Sequence, residues 1–517
     1  MRHHLYLGCA LLALTTFAPT AFAQMGGGMG GEGMGGQGMG GGGRGGGGHH
    51  RGGGQSGDAQ KDAPPINAMP APPPQLPVAM RLTGVVNIIG ESKAGSDVTL
   101  NSDKPDVSVI FISRGGSLTL KNATLTSHST VSLLDDSRGS GLNSALLLNE
   151  GSSATLTGGS ITTTGSGGNA AFVVGPQSRL DLQNLTITTR AGNAYGVEAS
   201  AGAQLNATGL TIHTEGDQSP AIASQGGAPM TLSSLILHTM GPNSPLVLAG
   251  GDMTGDGLKG MAERSDGLAV EGAHKISLSH ADLQSANYAV SVSGAETHAG
   301  APRGAAGHAH PAGDDQDMDG PDAPADESTD PDAGKVVPID KLLIPAPDAA
   351  VHRAELDLHD SHLAGSEAAL LVSNARAHIV LTGVTLDSPV ILRAAAGQGG
   401  ELGRNGGEAE LELHGETLTG DFATDVISSI RVSLLDQSHL TGKTTTNTDV
   451  TLDAGSDWIL PGDTHVGKLV ITGTTAPDAI SNIQSGGHTL YYDPHRNPWL
   501  AHKSWPLPGG GQLTPDI

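Results

Sequence analysis

Cysteine is all but missing from this chain: Cys9 is the only one among 517 residues. Disulfide scaffolds, thiolate metal sites, zinc ribbons and cysteine nucleophiles are therefore excluded. Aromatic residues are nearly as scarce, at 3%, with five Phe, five Tyr and three Trp. Large rings supply much of a compact core, so any core here has to be built from aliphatic side chains. Charged residues reach only 15%, and 52 acidic ones face 27 basic ones for a formal net charge of −25. Nucleic acid and anionic membrane surfaces both select clustered Lys and Arg, so neither is an expected partner. No apolar run approaches the roughly 18 residues that a membrane-spanning helix needs, so no transmembrane segment is expected. What the chain has in excess is glycine, 78 residues, about twice the usual share.

Residues 1–23 read as an export signal. Arg2, His3 and His4 start it, Leu5 to Phe17 is apolar, and Ala21-Phe22-Ala23 offers a small-residue cleavage site before Gln24. Residues 24–79 follow as a tail, Gly- and Met-rich to 57 and proline-rich from Pro64 to Pro77. Glycine without apolar partners cannot offset its chain entropy, so this tail is expected to be disordered. Its Met25, Met29, Met34, Met39, His49 and His50 are soft ligands, and copper(I) or silver binding is the chemical alternative.

From residue 80 a repeat takes over. Leu182, Ala207 and Leu232 lie 25 residues apart, and parallel columns keep the step: Leu180, Leu205 and Met230; Leu185, Leu210 and Leu235; Ile187, Ile212 and Leu237; Thr189, Thr214 and Thr239. Phe172, Val197, Ile222 and Val247 read as a further column. Within each unit the apolar residues alternate at period two, and Gly, Asn, Ser and Pro separate the runs, which are strand and turn signals. A unit with one apolar column buries nothing alone, so neighbours must stack. Weaker copies (Ile110 to Leu125, Leu146 to Ile161, Leu268 to Leu283, Leu356 to Leu363, Leu371 to Leu386 and Leu411 to Leu418) extend the pattern both ways. The expectation is an all-β chain: a parallel β-helix of about ten or eleven coils, over 80–295 and 351–475.

The unit from Ala203 to Thr214 resembles the right-handed parallel β-helices of the pectin-lyase-like superfamily, bacterial autotransporter passenger domains above all. The segments Gly486-Gly487-His488-Thr489-Leu490-Tyr491-Tyr492-Asp493-Pro494 and Gly509-Gly510-Gly511-Gln512-Leu513 resemble the ends of such surface proteins. The resemblance covers about 80–517 apart from one insertion. It implies a right-handed coil and a passenger-like surface protein. No block of amphipathic translocator strands follows, so self-delivery across an outer membrane is not implied. The superfamily includes lyases, hydrolases, adhesins and inert scaffolds, so it points to no one activity. Trp499, Trp505, Tyr491 and Tyr492 mark 476–517 as a cap over the open end, with an aromatic carbohydrate platform as the alternative.

Residues 296–350 interrupt the repeat with Pro, Ala and Asp and are expected to form a disordered acidic insertion. Inside it, Asp315, Asp317, Asp319 and Asp326, with Gly320 at the turn, match the oxygen-ligand spacing of a calcium loop. Calcium is the one cofactor candidate. His308 and His310 belong to the same polar stretch. His213 and His238 share a column and should lie about 5 Å apart on adjacent strands, as a surface ladder first and a metal pair second. Asn447-Thr448-Asp449 matches the first polygalacturonase motif, but the Asp pair, Gly-His-Gly and Arg-x-Lys that should follow are missing. No nucleophile elbow, phosphate loop or zinc-hydrolase helix is present, so no catalytic residue is assigned. The functional expectation is an exported, non-catalytic β-helix, extracellular or at a bacterial cell surface, acting as adhesin or scaffold toward glycans, matrix or proteins. A periplasmic location, a polysaccharide lyase or hydrolase with a non-standard site, and an exported metal-binding protein are the alternatives.

Overall fold

The chain divides into two units, Met1–Pro73 and Pro74–Ile517. A computed structural model describes residues 78–294, 353–397, 403–474 and 476–516, all in the second unit. The export signal, nearly all of the tail and the acidic insertion, with its Asp315, Asp317, Asp319 and Asp326, lie outside the described residues.

Twelve strands, from Gly84–Ile89 to Asp421–Thr424, stack into a first sheet, and twenty-two more form a second. One coil contributes one strand to the first sheet and two runs to the second. Val197–Ser200, Gln204–Thr208 and Thr211–Thr214 make such a coil. Each strand of this coil pairs in parallel with its equivalent 25 residues on, Val197 with Ile222, Ala207 with Leu232 and Ile212 with Leu237. This is the parallel β-helix that the repeat predicts. The core is a stack of aliphatic residues: Leu156, Leu182, Ala207, Leu232, Leu278, Leu358, Leu381 and Leu413 are all buried in one column. Each large member contributes roughly 1.5–3 kcal/mol of gross burial energy, so no aromatic core is required.

The turns explain the polar punctuation. Asn122, Asn184, Gly209, Ser234, Gly257 and Asp360 occupy one equivalent corner, each with φ between 46° and 66°. That left-handed conformation suits Gly and, among the rest, Asn and Asp best. At the other end of the coil, Thr189 and Thr214 point inward, and their hydroxyls donate to the carbonyls of Ala194 (2.8 Å) and Ser219 (2.6 Å). The Thr column is thus a buried polar seam in which Thr189 and Thr214 are satisfied across the turn, while the Thr163 and Thr239 hydroxyls in the same column have no hydrogen-bond partner.

Three features differ from the expectation. The coils exceed ten or eleven, because Gly95 and Gly255 stand where neighbouring coils put leucine, Leu120 and Leu278, and so break the apolar pattern. Phe172 does not belong with Val197, since Ala171 does; the step there is 26 residues, and the extra one turns Phe172 outward. Leu371 likewise faces outward beside Ser291 and Arg393. Finally, two short helices interrupt the β structure, α1 at Val78–Arg81 and α2 at Leu134–Ser140.

The C-terminal coils end in a reversal. Trp505–Pro506 pairs antiparallel with Gln512–Pro515, the one antiparallel pair among the described strands. Tyr492 is fully buried and donates its hydroxyl to the Lys503 carbonyl at 2.9 Å, and Trp505 Nε1 donates to the Leu500 carbonyl at 3.0 Å.

Candidate functional site on the outward face of the first sheet

The central residues of the first sheet present a single outward column. It begins apolar, with Phe111, Leu147 and Phe172 packed as a cluster. Exposed, that stripe would be an association hazard. The excursion between Ser117–Ser127 and Leu146–Leu148 covers it with α2. Arg81 ties to Asp136, Ser137 Oγ donates to the Gly167 carbonyl at 2.5 Å, and Arg138 donates to Asn193 and Gln218. Gly141 ends the helix where a Cβ would stand 2.5 Å from the Phe172 ring, so only glycine lets the chain approach that closely.

The next position in the column is Glu198, completely buried, with neither carboxyl oxygen hydrogen-bonded. Burial pushes its carboxyl well above the usual carboxylate range, and the Arg138 charge pulls back only in part. The folded protein therefore holds a proton that the unfolded chain gives up near pH 4. Stability is full below the unfolded pKa and declines as pH rises through the folded one. Glu198→Gln removes the titration and keeps the shape. It is expected to match the wild type at pH 4 and to be more stable by about 1–3 kcal/mol at pH 8, as read from thermal melts across that range.

Beyond Ala223, Leu248 and Ala269 the column alternates polar with apolar residues, Ser291, Leu371, Arg393 and Ala423, and further polar groups adjoin it. Ser291 Oγ donates to Asp266 Oδ2 at 2.6 Å, and Tyr288 donates its hydroxyl to Glu367 Oε2 at 2.6 Å. Burial raises the Asp266 carboxyl above its ordinary value, with the nearby Glu367 charge adding to the rise, while bonds from Ser291, Asn287 and the Tyr288 backbone oppose it. Burial, then the bond to Glu367, pushes the Tyr288 hydroxyl up to about 12, with Arg393 pulling it down. Arg393 follows Ser291 and Leu371 in the column, and its Nε is buried without a hydrogen-bond partner. Two carboxyl groups, a phenol, a hydroxyl and a guanidinium thus gather on one half-exposed face. This set suits a polyhydroxylated ligand: acceptors and a forked donor for hydroxyls, and a ring face for the apolar side of a sugar.

Sequence reasoning misses this patch because its members run from Asp266 to Arg393, on both sides of the 296–350 interruption. The available signal was Ser291 and Arg393 at positions that carry apolar residues in earlier coils. The residues singled out from sequence fall elsewhere. His213 and His238 do adjoin, with ring centroids 4.9 Å apart. Asp449 pairs with Arg496 at 2.6 Å, and Asn447 donates to the Asp425 carbonyl. Asp449 also ends an outward ladder in which nitrogen-bearing and carboxylate side chains alternate: Lys275, Glu355, His378, Glu410, Arg431 and Asp449 in direct register. Exposed pairs of this kind contribute about 0–1 kcal/mol each and specify register more than stability. Trp499 and Trp505 pack partly buried against the core, and Tyr491 stacks on His465 with centroids 5.0 Å apart.

No family model matches this chain, and no curated protein matches it. Among solved structures it is similar to the Dettilon tailspike protein, at 8% identity and a TM-score of 0.17, over 76% of this chain and 63% of that one. The chain thus spans less than two thirds of that protein's length. A superposition this loose fixes neither an activity nor a partner. Among the described residues, no helix is long and apolar enough to cross a membrane.

Proposed function

We propose that this chain is an exported surface protein, passenger-like in its role, that acts as an adhesin or interaction scaffold. It recognises a glycan at the Asp266–Tyr288–Glu367–Arg393 patch without cleaving it. The observation that carries this reading is the change along the first sheet's outward face, from an apolar stripe sealed by α2 to Ser291 and Arg393 flanked by Asp266, Tyr288 and Glu367, with Arg393 Nε unpartnered. The non-catalytic part is supported by how the acids are engaged. Glu367 accepts the Tyr288 hydroxyl and Asp266 accepts the Ser291 hydroxyl, an arrangement for holding hydroxyls in place. Glycoside hydrolysis would instead need one carboxyl acting as acid and a second free to serve as base or nucleophile.

The test is a glycan array probed with the full chain, followed by calorimetric titration of the best ligand. Glu367→Gln and Arg393→Lys are each expected to weaken binding at least tenfold, about 1.4 kcal/mol, with unchanged melting temperature. Failure to retain any glycan, matrix protein or cell surface would overturn the adhesin reading. Release of new reducing ends from the bound glycan would overturn its non-catalytic part, and the acid–base pair Asp266 and Glu367 would then be the one to substitute.

A further inference from the structure

A second cluster lies on the second sheet, away from the patch above. His213 and His238 stand in direct register on Thr211–Thr214 and Ile236–Thr239, and Met261 takes the same position on Lys259–Ala262. The two Nδ1 atoms are 3.1 Å apart. One far nitrogen is hydrogen-bonded to a carboxylate: His238 Nε2 lies 2.8 Å from Glu263 Oε1, whereas His213 Nε2 stands 3.6 Å from Glu215 Oε1, beyond hydrogen-bond reach. An imidazole that gives its Nε2–H to a carboxylate keeps a lone pair on Nδ1, the arrangement by which outer-shell acids orient metal-binding histidines. At 3.1 Å one ring donates its Nδ1–H to the other's Nδ1, and a cation replacing that one proton would be held by both nitrogens.

The neighbours supply sulfur. Met240 directly follows Ile236–Thr239, two residues beyond His238, and is 38% exposed, and Met261 is 47% exposed. Adjacent strands are about 4.8 Å apart, within reach of an unbranched thioether with three rotatable bonds. Among the described residues, no three His, Cys, Asp or Glu side chains converge on a metal position, so hard and thiolate sites are not what this surface offers.

We propose that His213, His238, Met240 and Met261 form a binding site for monovalent copper. Bonds of about 2.0 Å from nitrogens at this separation would close at about 100°, leaving the opposite side to the thioethers. Imidazole with thioether, in the absence of thiolate, selects the soft monovalent ion.

The test is anaerobic titration of the full chain with copper(I) against a chromophoric chelator. The wild type is expected to retain one equivalent more than the H213Q/H238Q variant. Copper held by the methionines of the N-terminal tail is common to both and cancels in the difference. M240L/M261L is expected to weaken that equivalent at least tenfold for copper(I) and to leave zinc(II) binding unchanged. All four side chains are at least partly exposed, and matching thermal melts would establish that the variants fold. Equal copper stoichiometry in the wild type and the His variant would overturn the site. A Met variant that binds copper(I) like the wild type would overturn the thioether ligation and with it the assignment to monovalent copper.

Discussion

Gly216→Val is expected to break the stack in the middle of the solenoid. A Cβ at Gly216 would stand 2.1 Å from the Ala191 carbonyl oxygen and 2.5 Å from the Gly192 nitrogen, and a Cβ at Gly241, one coil on, would stand 1.9 Å from the Gly216 oxygen. These are backbone atoms held by the ladder itself, so no side chain can swing aside. The φ of Gly216 is not in the left-handed region, which makes the conflict one of space alone. Opening the coils by the ångström needed would also stretch Asn193 N to Asp217 O (2.8 Å), Gln218 N to Pro242 O (2.9 Å) and Ser219 N to Ser244 Oγ (2.9 Å). The expected loss is about 3 kcal/mol or more, read as a lower melting temperature and new protease cleavage around residues 190–245. Gly192→Ala is the control. Its Cβ would meet the Asp217 oxygen at 3.4 Å and the Asp217 nitrogen at 3.8 Å, both ordinary contacts, so a near-neutral effect is expected. A Gly216→Val melt indistinguishable from wild type would refute this account of the stacking.

The second large effect is expected at Trp458. It is fully buried between Leu440 and Ile483 in the column of successive coils, and its Nε1 donates to the Gly442 carbonyl at 2.9 Å. Trp458→Ala removes the largest fully buried side chain among the described residues and leaves the Gly442 carbonyl without its donor. The expected cost is about 3–5 kcal/mol. Contacts in a solenoid run mainly between neighbouring coils, so the damage should concentrate in the C-terminal coils. Limited proteolysis is expected to cut after residue 442 well before the N-terminal coils open. Trp458→Phe should recover most of the volume term and leave the carbonyl penalty, separating the two contributions. Simultaneous cleavage along the whole solenoid would show that the end coils are not an independent unit.

The site was legible only in part. The sequence placed His213 and His238 side by side, because a fixed 25-residue step in a parallel stack converts sequence period directly into lateral contact. It left out Met261 as their neighbour, since the step from Leu232 to Gly255 is 23 residues and the register moves by two. The Asp266–Arg393 patch could not be read at all, because no period links residues on either side of a long interruption. The calcium-loop residues Asp315, Asp317, Asp319 and Asp326 stay an expectation from spacing alone.

What the sequence by itself determined is the solenoid: alternating aliphatic residues at a constant step can bury themselves only by stacking on their equivalents. The left-handed corners were likewise marked by Asn and Gly, for a steric reason local to each residue. What only the tertiary structure decided is what faces outward. One extra residue before Val197 set Phe172 on the coil's outer face, buried beneath α2 and in register with Glu198, because a side chain's face in a strand alternates with every residue. The buried carboxyl, its Arg138 neighbour and the polar patch further along all depend on that parity, and parity is settled by the summed lengths of turns that the apolar pattern does not measure.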